Sequence, residues 1–283
     1  MAWTPFTRKE YARDRKGYAS DMTDAEWKRI KLHLPPPAGT GRPRTTCLRA
    51  VVNAIFYLLQ SGCQWDMLPK DFPPWQTVYR YFRDWKSDGT WSRIHDSLYR
   101  AVRNLEGREE SPTLAIIDAQ STKTGPDAKG DVGFDAGKNV KGRKRHIVVD
   151  TLGMILKADV HSAGIQDRDG AALALDKITM RFPFIEKVVA DGAYAGPVAQ
   201  SNSPRPVEIV KRSDRAKGFT VLPKRWIVER TFAWLGINRR LAKDFERHAK
   251  TALTFIYTAM IKLMSRRLAR YMSSFETDSK YLT

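Results

Sequence analysis

Three carboxylates stand out by their setting. Asp118 ends the apolar run TLAIID, and Asp191 ends FIEKVVAD. Glu229 lies in RWIVERTFAWLGINRRL, among Arg225, Arg230, Arg239 and Arg240. Each aspartate reads as a carboxylate at the C-terminal tip of a short buried strand, the edge at which open α/β sheets bind ligands. Two strand-end acids and one acid on a packed helix make an all-oxygen donor set, which suits hard Mg²⁺. Two such ions, about 3.5–4 Å apart, stabilise both the attacking and the leaving oxygens of an in-line displacement at phosphorus. Plainer readings stand beside this one. An Asp after a strand can be a turn residue or a cap. Glu229 can pair with Arg225 one helical turn away, a contact worth roughly 0.2–0.5 kcal/mol. Asp150, followed by TLG between two strand patterns, reads as a turn. Asp127, Asp131 and Asp135 lie in a Gly- and Lys-rich loop and read as solvated.

The elements that must position these acids are legible in the periodicity. A helix is expected from Thr23 or Asp24 through Trp27 and Ile30, with acids in its first turn. PPPAGTGRPR is a linker of helix breakers that also carries Arg42 and Arg44. A second helix is expected over 46–61, with Leu48, Val51, Val52, Ile55, Leu58 and Leu59 at helical spacing and Gly62 as its stop. A third, WQTVYRYFRDWKSDG, turns Val78, Phe82 and Trp85 inward, and a fourth covers 91–105. Trp75, Tyr79 and Trp85 read mainly as core. The segment EGREESP separates the halves. Beyond it come the strand ending at Asp118, a hairpin of RKRHIVVD and MILKADVHSA about DTLG, a helix over 168–180, the strand ending at Asp191 and a strand PVEIVKR. From Pro223 to Met272 the pattern is helical. This order predicts an α/β fold, a mixed sheet with flanking helices, preceded by a small all-α domain. The expected divisions are a basic arm over 1–20, a helical domain over 21–107 and a catalytic domain over 111–283.

Charge points to the partner. The chain of 283 residues carries 49 Lys and Arg against 31 Asp and Glu, a net charge of +18. Residues 1–110 hold 19 basic and 13 acidic side chains, and residues 111–283 hold 30 and 18. Both halves are therefore basic, which favours a polyanion such as nucleic acid. The two cysteines form no CxxC pair, so a zinc site or a disulfide framework is not expected. No apolar run approaches the ~20 residues of a membrane span, and a cytoplasmic protein is expected.

IIDAQSTKTG, VVADGAYAG and RWIVERTFAWLGINRRLAKDFER resemble the catalytic blocks of DDE transposases of bacterial insertion sequences, closest to the IS five family of the IS four/five superfamily. DMTDAEW, LPPP, GRPR and GCQWDMLPKDFPPWQTVYRYFRDW resemble that family's N-terminal block, so the resemblance runs from about Asp21 to Arg270. It implies an RNase H-like fold whose catalytic and metal-binding acids fall on Asp118, Asp191 and Glu229. It implies Mg²⁺ as cofactor, with Mn²⁺ as a substitute and two ions at the site. The activity implied is an endonuclease and strand-transfer reaction on double-stranded DNA, both element ends and target, by a homodimer on DNA. The superfamily signature Tyr-x2-Arg-x3-Glu-x6-Lys is matched by Arg225 and Glu229, while Leu222 replaces the Tyr and Gly236 the Lys. Arg239 or Arg240 would then supply the phosphate contact.

The remaining candidates concern DNA. The loop KGDVGFDAGKNVKGRKRH offers Lys138, Lys141, Arg143, Lys144 and Arg145 to phosphates, with glycines that permit close backbone approach. A basic strand edge is the plainer reading. His146 is given no catalytic role. The second and third helices suggest a variant helix-turn-helix, with Gln76, Thr77, Arg80 and Arg83 facing DNA. Arg225 and Arg230 would neutralise phosphates beside the acids. An apolar stripe over 257–271 suits either internal core or a dimer surface. A metal-dependent nuclease that does not join, and a DNA-binding regulator without chemistry, remain as alternative readings.

Overall fold

The computed structural model of the chain describes residues 17–37, 39–210 and 224–279, with side chains as far as Tyr271. Most of the expected basic arm, Leu222 and the end of PVEIVKR lie outside the described residues. The chain divides into two compact units: residues up to Gly107 together with those from Thr258 on, and Arg108–Tyr257.

The first unit is helical. Helix α1 (Asp24–Lys31) opens on a capping box, in which Thr23 Oγ1 accepts from Glu26 N and Glu26 Oε2 accepts from Thr23 N. Two of the four orphan amides of the helix start are satisfied this way. Helix α2 (Leu48–Ser61) stops at Gly62, whose φ of 74° is the left-handed cap that glycine adopts without strain. Helices α3 (Trp75–Ser87) and α4 (Thr90–Leu105) follow. Their buried stripes, Val51, Ile55 and Leu58 on α2, Val78, Phe82 and Trp85 on α3, and Ile94, Leu98 and Val102 on α4, are the core of this unit. Trp75 and Tyr79 are not core. They stand 36% and 41% exposed on the same side of α3 as Gln76, Arg80 and Arg83.

By its contacts the C-terminal end of the chain groups with this unit, whereas the sequence places it with the catalytic domain. In the last helix, α9 of the order below (Ala249–Ser279), Lys262 donates to Gln60 and Arg267 pairs with Glu106 at 2.8 Å. Met260, Ile261, Met264 and Leu268 are buried within the chain. That stripe is internal core and offers no dimer surface. Of the cysteines, both free, Cys47 is exposed and Cys63 half-buried.

The second unit is built on one mixed sheet. Its strands are β1 (Leu114–Lys123), β2 (Gly133–Asp135), β3 (Val140–Val149), β4 (Ile155–Ser162), β5 (Lys187–Ala190) and β6 (Val207–Ile209). Between them lie α5 (Asp167–Leu175), α6 (Ile178–Arg181) and α7 (Pro197–Ser201), and after them α8 (Trp226–Gly236) and the start of α9. The order is β2-β3-β1-β5-β6, with β4 also on β3. Strands β1, β3 and β4 are antiparallel neighbours, and β5 and β6 join parallel to β1 and to one another. The expected helix over 168–180 is broken into α5 and α6 at Lys177, whose φ is 55°. The expected run from Pro223 to Met272 is likewise interrupted, by a 3-10 turn at Arg239–Leu241 and the irregular residues before Ala249.

Opposite residues of an antiparallel pair share a face. Asp118, Gln120 and Thr122 of β1 therefore share one face with Ile147, Arg145 and Arg143 of β3. Ala119 and Ser121 share the other with His146 and Lys144. Helix α5 covers the second face so closely that a Cβ at Gly170 would lie 2.5 Å from the His146 ring. On the first face α8 is pinned to the β3–β4 turn, where Thr231 Oγ1 donates to Gly153 O at 2.9 Å and Arg230 donates to Leu152 O at 3.0 Å. That turn is the one expected at Asp150, whose carboxylate accepts from Leu152 N and Met154 N. Glycine at 142 serves the sheet and not a phosphate, since a Cβ there would lie 2.0 Å from the Thr122 carbonyl oxygen.

Candidate active site

Strand β1 does not end at Asp118. It continues five residues to Lys123, because its ladder with β3 persists to Gly142. What ends near Asp118 is the parallel partner. Strand β5 pairs Val189 with Ile116 and stops at Ala190. Counting two residues on along both strands brings Asp118 level with Asp191, on neighbours about 4.8 Å apart. The second aspartate thus sits where the sheet splits, and the first in mid-strand beside that split.

Asp191 has two roles at once. It caps the 3-10 turn Gly192–Tyr194, its Oδ1 accepting from Ala193 N at 2.8 Å. Its other oxygen, Oδ2, lies 3.3 Å from Nη2 of Arg225. The same guanidinium approaches Glu229, with Nε 3.5 Å from Oε1. The i,i+4 pair of the plain reading is therefore present, and it is shared with Asp191. Glu229 comes from the first turn of α8, whose Ile227 and Val228 are buried while Glu229 itself is 53% exposed.

Asp118 feels the same group of charges. Burial pushes its carboxyl up to about 6; the Ala119 N–H pulls it down, Asp191 raises it further, and Arg225 and Lys138 lower it. Lys138 reaches in from the β2–β3 turn, with Nζ 3.4 Å from Ala119 O. Among the described residues, no three acids, histidines or cysteines stand close enough as placed to hold a metal ion. The expectation that the three carboxylates face one point is not met as they stand: Arg225 lies between Asp191 and Glu229. The donor chemistry nevertheless fits a divalent ion. All donors are oxygens, and a buried carboxyl raised by an adjacent carboxylate is a place where positive charge is favoured.

The raised Asp118 carboxyl gives a pH signature in chelator. Between about pH 4 and 6 the folded protein holds a proton on Asp118 that the unfolded chain, near 3.8, has released. Stability from this group is present below the unfolded value and is lost as pH rises through about 6. The loss amounts to at most about 3 kcal/mol. Asp118→Asn should remove it, so the variant gains stability over wild type as pH rises across that window. Urea midpoints of both proteins from pH 4 to 7 check this, and a difference that stays flat would mean that Asp118 ionises normally.

The basic candidates separate into surface and interior. Arg42, Arg44, Gln76, Arg80 and Arg83 are exposed in the first unit and Lys138, Lys141 and Arg239 in the second, while Thr77, Arg225 and Arg230 are half-buried. Arg230 is stacked between Trp226 and Trp234, 4.6 and 4.5 Å from their ring centres. Four candidates are corrected. Arg143, Lys144, Arg145 and Arg240 are buried and held by partners within the protein. Arg143 pairs with Asp244 at 3.1 Å, Lys144 with Asp167 at 2.6 Å and Arg240 with Glu246 at 2.7 Å, and Arg145 donates to Leu241 O at 2.6 Å. They hold the sheet to the chain around it and are closed to phosphate. Asp135 is also not solvated, since it accepts from Ser121 and lies 3.6 Å from Lys144.

Two neighbours of the acids carried no signal in the residue patterns. Tyr194 is buried, and burial followed by Asp118, Asp167 and Asp191 keeps its phenol protonated, well above the usual value. Asp167 neutralises Lys144 on the opposite face. His146 is structural. Its Nδ1 lies 2.7 Å from Nε2 of His161, whose Nδ1 donates to Ser162 O. Burial, then the nearby His161 and Lys144, push His146 down to about 3, so it stays neutral.

Comparison with known proteins agrees with this architecture. Residues 109–264 match the family described as transposase DDE domain, and residues 22–95 match a family of transposases of the IS4/5 type. A protein of the insertion element IS402 from Burkholderia cepacia, of 16.2 kDa, is 31% identical over 108 residues, covering 36% of this chain and 72% of the relative. No solved structure matches. Among the described residues no helix is long and apolar enough to cross a membrane. A mixed sheet carrying two level aspartates, a helix that brings a glutamate to the same face, and a family match across more than half of the chain have one common meaning: the chain belongs to the DDE transposases of the IS4/5 type, enzymes that cut and transfer DNA strands with divalent metal ions.

Proposed function

We propose that Asp118, Asp191 and Glu229 are the acids that hold the metal in this transposase, and that the metal is Mg²⁺, bound as two ions and replaceable by Mn²⁺. The observation that carries this reading is the shared guanidinium. Asp191 and Glu229 lie 38 residues apart in sequence, yet both approach Arg225, and Asp118 feels the same cation. Ions held there would stabilise the attacking and leaving oxygens at phosphorus. The chain's own part is positioning and charge. Lys138 and Arg225 stand beside the acids and meet phosphates of the strand to be cut, as preorganised cations do most in phosphoryl transfer.

DNA is held by basic and polar side chains of each unit. Arg42, Arg44, Gln76, Thr77, Arg80 and Arg83 serve the element ends, with Trp75 and Tyr79 on the same exposed side of α3. Lys138, Lys141, Arg230 and Arg239 line the catalytic unit. Two DNA ends call for two copies of the enzyme, so the active form is a homodimer on DNA, working on the nucleoid.

The site can be mapped without turnover. Fe²⁺ in the Mg²⁺ position, with ascorbate and peroxide, cuts the polypeptide next to the bound ion. The expected cuts flank Asp118, Asp191 and Glu229 and disappear with excess Mg²⁺. Cuts confined to other segments would move the metal site away from these three residues.

A further inference from the structure

Arg225 stands with its guanidinium between Asp191 and Glu229. We propose that its guanidinium is a stand-in for the divalent ion: it holds Asp191 and Glu229 together while no DNA is bound, and it leaves them for a DNA phosphate when the ion enters. This rests on the reading of Asp118, Asp191 and Glu229 as the metal-binding acids.

Four observations support it. First, charge demands a cation there. Asp191 and Glu229 approach the same guanidinium, and like charges brought together are stabilised by an opposite charge nearby. Second, the contacts are loose. Arg225 reaches Asp191 at 3.3 Å and Glu229 at 3.5 Å. The buried Arg143 shows the contrast. It donates to Asp244 and to four carbonyl oxygens at 2.8–3.2 Å, as a permanent structural arginine does. Third, Arg225 has an exit. It precedes the first residue of α8 and its side chain is 27% exposed, so rotation about its own bonds carries the guanidinium outward without moving the helix. Fourth, a guanidinium and a dication cannot share these oxygens. Both are positive, and the ion brings twice the charge in a smaller volume.

The consequence is a coupling. A phosphate at the rim gives the displaced guanidinium a new partner, so DNA lowers the cost of admitting the ion. Coupling of this kind is reciprocal: DNA tightens metal binding and the metal tightens DNA binding by the same factor. Without DNA the carboxylates stay closed by Arg225, and the site is kept from assembling away from its substrate.

The test is Mn²⁺ binding by the full chain, read from the electron paramagnetic resonance of free Mn²⁺, with and without duplex DNA carrying the element end. Wild type should bind Mn²⁺ weakly alone and roughly tenfold tighter on DNA, within the usual range of coupled ligands. Arg225→Gln should bind Mn²⁺ about tenfold tighter than wild type without DNA and gain little more when DNA is added. Arg225→Lys, which keeps the charge on a shorter reach, should fall between. A folded Arg225→Gln that binds Mn²⁺ no tighter than wild type overturns the proposal. Should Arg225→Gln unfold in chelator, Mn²⁺ must restore its fold where NaCl does not, and failure to do so overturns it equally. Asp118→Asn in both backgrounds separates this from the underlying reading. Mn²⁺ binding that survives Asp118→Asn would remove the metal-site assignment itself. Binding lost with Asp118→Asn but not improved by Arg225→Gln keeps the site and rejects the stand-in.

Discussion

Glu229→Gln is expected to leave DNA binding intact while cleavage and strand joining fall by about a thousandfold or more. The substitution keeps shape and removes one negative charge. The metal's stabilisation of the transition state is worth several kcal/mol, and each 1.4 kcal/mol is about a factor of ten in rate. The fold has little to lose. Glu229 is 53% exposed and its ion pair with Arg225 is long, at 3.5 Å. Exposed pairs of this kind contribute about 0–1 kcal/mol. Binding to end DNA should hold or improve, since a charge that repels phosphate is gone. Gel shift and strand joining with Mg²⁺ on one preparation read both quantities. Near-normal joining would leave Glu229 as the partner of Arg225 alone, and the third acid would have to be sought elsewhere.

Arg143→Met is expected to act in the opposite way, through the fold. Arg143 is fully buried and satisfies Asp244 together with the carbonyl oxygens of Glu246, Arg247, Lys129 and Gly130. Removing the guanidinium strands a buried carboxylate and leaves those oxygens short of donors. Breaking a buried pair by removing one partner costs roughly 3–5 kcal/mol. Asp244 also receives the β1 end, its N–H donating to Lys123 O at 3.0 Å. The segment after the Arg239–Leu241 turn should therefore loosen first. Replacing both Arg143 and Asp244 by Met should recover part of the loss, because no charge is then left alone. Urea unfolding measures it. The phosphate-contact reading of Arg143 predicts the reverse: wild-type stability, with weaker and less salt-dependent DNA binding.

These two residues show where sequence reasoning reaches and where it stops. Asp118, Asp191 and Glu229 announce themselves by local context, an acid after an apolar run or within an amphipathic helix. The helix start at Thr23 or Asp24, the stop at Gly62 and the turn at Asp150 are equally local, and they are found as expected. The run GRKRH is different. Its consecutive cations read as a basic edge, yet β3 is an interior strand with β1 on one side and β4 on the other. Once both sides are paired, every cation in it must point into a covered face. It survives there only because carboxylates arrive from elsewhere: Asp167 is 23 residues from Lys144, and Asp244 is 101 residues from Arg143.

By itself, then, the sequence determined most of the elements, the candidate acids, the family and the positive charge, since each of these is written in short-range pattern or in composition. Only the tertiary structure decided which cations are exposed and which are interior. It also decided that Asp118 lies in mid-strand, level with Asp191, and that Arg225 bridges Asp191 to Glu229. The reason is physical. Hydrophobic periodicity and caps act over a few residues, and the chain carries them wherever it goes. The partner of a charge is set by strand order and by which face a residue takes, and those are properties of the assembled sheet.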